Sequence, residues 1–237
     1  MSEIFSRTEA LLGKEAMQKL NGARVALFGL GGVGSAAFEA LLRSGVGHIE
    51  VFDYDTVSPT NLNRQLLATE KTVGMKKCDA AMLRAKDISP DTEIAPHDMF
   101  YLPENSAEID MSRFDAVIDA VDTVTAKLEI ITRALESGVF TISSMGTGNK
   151  LDITKLRIDD IYSTTDCPLA RIMRKELRKR GVEKLTVVWS DEKPDFALDT
   201  GEQKGERPAP ASAIFVPAAA GLLLAKQTVD YLISKSE

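Results

Sequence analysis

Two neighbouring stretches of this sequence carry residues whose types and spacing suit phosphate chemistry. Gly29-Leu-Gly31-Gly32-Val-Gly34 fits G-x-G-x-x-G. Glycines there permit a tight turn and let backbone N–H groups approach an anion closely. Asp53 lies 19 residues beyond Gly34, a separation that lets a carboxylate at the end of the next strand accept hydrogen bonds from ribose hydroxyls. Taken alone, these residues describe a dinucleotide site of the NAD type. The segment that follows, Asp53-Tyr-Asp55-Thr-Val-Ser-Pro-Thr-Asn61-Leu-Asn63-Arg64-Gln65, has no evident use in an oxidoreductase. An ATP-cleaving site does need such side chains, because charge developing on a triphosphate calls for fixed cations and donors. Asp55, Asn61 and Asn63 also suit plain turns, since Asx side chains bond the backbone locally.

The remaining reactive side chains are few. Cys78 and Cys167 are the only cysteines, too few for a disulfide scaffold or a four-thiolate zinc site. Cys78 reads as packed on a helix, whereas Cys167, beside Pro168 in a polar loop, fits either an exposed nucleophile or a half-buried structural thiol. His48 and His97 are remote in sequence, which argues against a histidine metal site or proton relay. From Arg171 to Lys184 seven basic residues, Arg171, Arg174, Lys175, Arg178, Lys179, Arg180 and Lys184, stand against two acidic ones. Such a run is either a solvated helix face or an anion-binding surface.

The elements that must position these residues follow from hydrophobic pattern. Arg24–Gly29 and His48–Asp53 are short apolar, β-branched runs that read as buried parallel strands, with a helix over Val33–Ser44 between them. The pattern recurs: a helix over Gly74–Ile88, a strand at Thr92–Pro96, a strand at Phe114–Asp119, a helix over Thr125–Ser137 and a strand at Val139–Ser143. Alternation of this kind predicts an α/β fold, a Rossmann-like, doubly wound, mostly parallel sheet with helices on both faces. We expect one domain spanning 1–237, with an N-terminal helical arm (1–19), a nucleotide-binding core (20–150) and an elaboration (151–237). The elaboration holds strands near Lys155–Ile158 and Lys184–Ser190, a basic helix over Pro168–Arg180, a mobile loop over Lys193–Pro210 and a C-terminal helix.

Composition excludes several classes. With 44% hydrophobic and 27% charged residues the chain is that of a globular protein. A net charge of −6 opposes nonspecific coating of nucleic acid. Met1–Ala10 lacks the apolar stretch of a secretory signal, and Ala211–Ala225 is interrupted by Pro217 and closed by Lys226, so a buried helix is expected there rather than a membrane span. A reducing cytoplasm is the expected compartment.

In their order and spacing, the glycine turn, the Asp53-x-Asp55-x-Val segment leading to Asn63-Arg64-Gln65, Val73-Gly74-x-x-Lys77 and Asp119-Ala-Val-Asp122 resemble the ubiquitin-activating-enzyme-like superfamily. The resemblance implies ATP held by Gly29, Gly31, Gly32 and Gly34, with Asp53 on the ribose, Asp55 and Asn61 in the same loop, Asn63 and Arg64 on phosphates and Gln65 supporting them. Lys77, or Lys76 if the register slips, would neutralise charge at the phosphate under attack. Asp122 would bind the magnesium of MgATP, a hard ion that favours carboxylate, water and phosphate oxygen; Asp122 also suits capping of the helix that follows. Arg7 resembles an arginine that a partner protomer inserts into this site, which implies a homodimer. A role for a monovalent cation is left open.

A narrower resemblance, to the tRNA threonylcarbamoyladenosine dehydratases, rests on the leader Ser6–Met17, on Val121–Lys127, on Ser143-Ser-Met-Gly146-Thr-Gly-Asn-Lys-Leu-Asp152 and on Cys167-Pro-Leu-Ala170 before the basic helix. It implies ATP-dependent dehydration of a modified adenosine in the tRNA anticodon loop through a carboxyl-adenylate, with Arg171, Arg174, Lys175, Arg178 and Lys179 contacting RNA. The C-x-x-C pairs of many sulfur-carrier activators are missing, and residues 191–211 stand where some dehydratases carry a cysteine-containing insertion; a sulfur-relay or cysteine desulfurase partner is therefore in doubt. Three alternatives remain open: an adenylyltransferase acting on a carrier protein's C-terminal glycine, an NAD(P)-dependent oxidoreductase and a nucleotide-sensing scaffold.

Overall fold

The computed structural model describes residues 3–193, 203–204, 207–208 and 210–235. Helices α1 (Ser6–Leu12) and α2 (Lys14–Gly22) form the N-terminal arm. The βαβ unit follows as β1 (Arg24–Phe28), α3 (Gly32–Ser44) and β2 (His48–Phe52). Next come α4 (Lys77–Ile88), β3 (Glu93–His97), β4 (Ala116–Asp119), α5 (Val124–Glu136) and β5 (Phe140–Ser144). The elaboration supplies β6 (Leu156–Asp160), α6 (Pro168–Lys179), β7 (Thr186–Ser190), the short pair β8 (Gln203–Lys204) and β9 (Arg207–Pro208), and α7 (Phe215–Ser234).

Seven strands form one sheet in the order β3-β2-β1-β4-β5-β7-β6. All neighbours pair in parallel except β6, which runs antiparallel to β7 at the edge. The central strands are buried on both faces, which explains their unbroken apolar runs. Successive side chains of a strand point to opposite faces: Val25 and Leu27 join the core beneath α3, α4 and α7, while Ala26 and Phe28 join a second cluster with Tyr101, Phe114 and Ile130. A third cluster sits between α5, α6 and β7. Helices thus cover both faces. On the first face α7 packs closely on α3, and a Cβ added at Gly221 would lie 2.2 Å from the Val33 carbonyl oxygen.

The expected strands and helices all form, with shifts of a few residues at their ends. The helix expected from Gly74 starts only at Lys77, because residues before it pair with the polar segment instead: Val57 N–H donates to Met75 O at 2.8 Å, and Thr56 bridges Lys76. The loop expected to be mobile, Lys193–Pro210, lies largely outside the described residues. Among the described residues no helix is long and apolar enough to cross a membrane.

Candidate active site

Rossmann-like sheets place their ligands at the carboxyl ends of the strands, where the winding direction reverses on either side of β1. There the chain forms a cleft of about 610 Å³. Its floor is the glycine turn. Gly29, with φ +90°, takes the chain off β1, and Gly34 sits so close beneath it that a Cβ would lie 1.8 Å from the Gly29 carbonyl oxygen. Gly29, Gly31 and Gly32 line the cleft; Gly34 supports the turn from behind. The first turn of α3 therefore faces the cleft with N–H groups that have no intrahelical acceptor.

One wall is the polar segment after β2. The Asp53 carboxylate accepts N–H bonds from Leu30 at 2.6 Å and Asp55 at 2.8 Å, which ties the end of β2 to the glycine turn. Burial pushes its pKa up, against the opposing pull of Lys77 and the two N–H groups. Lys77, only 4% exposed, brings Nζ to 2.7 Å from Asp55 Oδ2 and 3.7 Å from Asp53 Oδ1. Lys76 instead points outward to Asp98 at 3.2 Å, so the register puts Lys77 in the cleft. Arg64 Nη1 donates to Thr60 O and Asn63 Oδ1, each at 2.9 Å, and Asn63 Nδ2 donates to Ser212 O at 2.9 Å. Asn61 Oδ1 accepts the Ser58 N–H at 3.1 Å. Asp55, Asn61, Asn63, Arg64 and Gln65 all line the cleft, but Asn61 and Asn63 also shape the loop, as Asx residues in turns do.

The opposite wall follows β4. Asp122 lines the cleft one residue before Thr123, which occupies the N-cap position of α5 without a side-chain capping bond. Beneath it lies a feature that the sequence reading did not assign. Asp119 and Lys127, both fully buried, pair at 2.8 Å. A signal was present: on α5 Lys127 falls on the buried stripe with Ile130, Ile131 and Ala134, and a lysine on such a stripe requires a buried partner. Aromatic side chains also unassigned from sequence, Phe52, Tyr54, Phe100 and Tyr101, line the cleft beyond Asp53, with Tyr54 and Phe100 rings 4.5 Å apart.

The other candidates lie elsewhere. Arg7 is exposed on α1, a helix with no buried residue, and does not line this chain's own cleft. Leu169, at the start of α6, does line it. Along α6, Arg174 Nη1 donates to Thr164 O at 2.8 Å, Arg178 lies 4.7 Å over the Tyr162 ring, and Lys179 pairs with Glu176 at 2.7 Å. Arg171 and Lys175 are exposed one turn apart. Cys78 and Cys167 are both buried, the latter 3.8 Å from where a Cβ at Gly146 would stand. His48 and His97 pair with Glu93 and Glu50, and no cluster of three or more His, Cys, Asp or Glu side chains suited to a metal occurs among the described residues.

Comparison with known proteins shows the family. Residues 5–237 match the ThiF family. The chain is 40% identical, over its full length and 97% of the other, to the tRNA threonylcarbamoyladenosine dehydratase of Bacillus subtilis. It superposes on the Escherichia coli tRNA N6-threonylcarbamoyladenosine dehydratase TcdA, solved in complex with ATP, with a TM-score of 0.87 at 28% identity, covering 98% of this chain and 94% of that one. A crystal structure of the same enzyme with AMP gives a TM-score of 0.88. The adenylyltransferase and sulfurtransferase UBA4 of Candida glabrata is 34% identical, but the match covers 69% of this chain and only 37% of that protein. The chain belongs to the ThiF family and, within it, to the tRNA threonylcarbamoyladenosine dehydratases.

Proposed function

We propose that the chain binds MgATP over the glycine turn and uses it to dehydrate threonylcarbamoyladenosine in tRNA, closing the side chain into a ring. The observation that carries this is the convergence on one cleft of Asp53, Lys77, Arg64 and Asp122 around the N-terminus of α3. Asp53 binds the ribose, and the α3 N–H groups and Arg64 bind phosphates. Lys77 offsets the charge that builds as the threonyl carboxylate attacks the α-phosphorus and pyrophosphate departs. An internal nucleophile of the substrate then captures the activated carbonyl and AMP leaves; enforced proximity makes such closure fast without an enzyme nucleophile.

Magnesium fits this donor set. Mg²⁺ is commonly bound by one or two carboxylates together with phosphate oxygens and water rather than by an all-protein cage, and Asp122 offers one carboxylate in the cleft wall. When bound, the ion neutralises phosphate charge. The RNA approaches along α6, whose first turn reaches the cleft at Leu169, with Arg171 and Lys175 free to meet phosphates and Arg174, Arg178 and Lys179 behind them. A second protomer supplies Arg7. Both cysteines being buried, no sulfur-relay partner is assigned. The cytoplasm, where tRNA is modified, is the compartment.

The test is mass analysis of nucleosides from tRNA carrying threonylcarbamoyladenosine after incubation with the protein and MgATP. Loss of one water from that nucleoside, with AMP formed, is expected. Unchanged tRNA, together with pyrophosphate exchange that only a small carrier protein stimulates, would assign the carrier-activating reaction instead.

A further inference from the structure

We propose that Lys127 is a positioning residue of this site: with Asp119 it holds the backbone of Val121 on both sides of its α-carbon and so aims the neighbouring Asp122 carboxylate into the cleft. The inference rests on the reading of Asp122 as the carboxylate that meets MgATP. Lys127 Nζ donates to Val121 O at 3.0 Å and Ser144 O at 2.8 Å and lies 2.8 Å from Asp119 Oδ2. Two of the three ammonium N–H donors thus go to backbone carbonyls, and the charge pairs with Asp119. Asp119 Oδ1 accepts the Val121 N–H at 3.2 Å, while Oδ2 also accepts Ser143 Oγ–H at 2.6 Å. The N–H of Val121 is thus held by the acid and its C=O by the base. The next residue is Asp122. Through Ser144 the same ammonium fixes the end of β5, where the Ser144–Gly148 wall of the cleft begins.

Energetics favour position over stability as the reason for this arrangement. Among the described residues this is the one ion pair with both side chains fully buried. Removing two charges from water offsets most of what their attraction gains, and apolar replacements of equal size are often no less stable. What an apolar pair cannot do is hold a loop residue by both its backbone N–H and its C=O. The pair joins three segments, the β4–α5 loop, α5 and the end of β5, at the point where a shift of the loop would swing Asp122 away from Lys77 on the far wall.

Calorimetric titration with ATP, in Mg²⁺ and again in EDTA, tests this. The proteins are the wild type, the neutral paired variant Asp119→Asn/Lys127→Gln, and Ser143→Ala, which takes one hydrogen bond from Asp119 and leaves the ion pair intact. For the paired variant, affinity in EDTA is expected to match wild type while the gain in affinity conferred by Mg²⁺ falls about tenfold, the scale of outer-shell effects on metal sites. Ser143→Ala should lose about threefold of that gain, as suits one hydrogen bond. In turnover, KM for MgATP should rise with the lost affinity, whereas a merely destabilised protein, having fewer active molecules, would show a lower apparent kcat at unchanged KM. A folded paired variant with the full Mg²⁺ gain overturns the proposal; so does Ser143→Ala with the full gain, even if the paired variant does not fold. A wild type whose ATP affinity ignores Mg²⁺ would overturn the reading of Asp122 itself.

Discussion

Lys77 shows how a buried cation is held in the cleft wall. Two carboxylates hold its buried ammonium at the cleft wall, so the cation is in place before substrate arrives. Lys77→Met keeps the aliphatic stem and removes the charge. We expect AMP formation to fall by about 10²–10³-fold, the usual effect of losing one preorganised electrostatic partner, with ATP still bound; a loss under fivefold in single-turnover assays would show that the phosphate under attack lies elsewhere. Cys78 marks the dry side of the same wall. Burial pushes its thiol up to about 11 from an ordinary 9.0. The folded state therefore holds this proton more tightly than the unfolded state, and the resulting stability is present below pH 9 and lost as pH rises through 11. Native protein should resist thiol reagents at pH 8.5, and Cys78→Ala should flatten the decline of Tm between pH 9 and 11. Asp53 was readable because its separation from the glycine turn has a mechanical reason, whereas Lys77 was carried by the family resemblance, with Lys76 open until the register was seen. Asp119 and Lys127 stood in recognisable segments, yet their pairing depends on how α5 rolls onto the sheet, which spacing along the chain does not give.

At the scale of elements, the strands were legible because central parallel strands are apolar on both faces, as in Arg24–Phe28 and Ala116–Asp119. The start of α4 was not: residues 74–76 are drawn into pairing with Thr56 and Val57, a tertiary contact that overrides local helical pattern. The tight α3–α7 contact was equally hidden. Gly221→Val, which forces a side chain against the Val33 backbone, should cost at least about 3 kcal/mol by overpacking, seen as a lower urea midpoint; an unchanged midpoint would mean that α7 can move away. The basic helix was legible as a charge run, but its division of labour was not. Arg174, Arg178 and Lys179 are engaged within the chain, which leaves Arg171 and Lys175 as the proposed phosphate contacts on α6. Arg171→Gln/Lys175→Gln should weaken tRNA binding at every sequence and reduce the slope of log K against log salt by about 1.5 for the two charges, while MgATP affinity stays the same. An unaltered slope would remove α6 from the RNA surface.

At the scale of the molecule, the sheet order puts the glycine turn, Asp53 and Asp122 at the ends of three adjacent strands, β1, β2 and β4, so residues far apart in sequence share one crevice. The apolar and polar pattern predicted that arrangement, because alternating strands and helices leave few other topologies. Quaternary structure was carried by the resemblance alone. Arg7 is exposed on a helix without a buried residue and does not line its own cleft, which suits an arginine acting in trans. Mixing Arg7→Ala protein with Asp122→Ala protein, each inactive alone, should then restore about a quarter of wild-type activity, because a mixed C2 dimer contains one intact site; no recovery after subunit exchange would place Arg7 outside the catalyst. Adenylation itself is tested most directly by identifying the nucleotide released when the protein turns over ATP with tRNA bearing threonylcarbamoyladenosine. AMP and pyrophosphate, formed one for one with the dehydrated nucleoside, are the expected products. ADP and orthophosphate would contradict attack at the α-phosphorus.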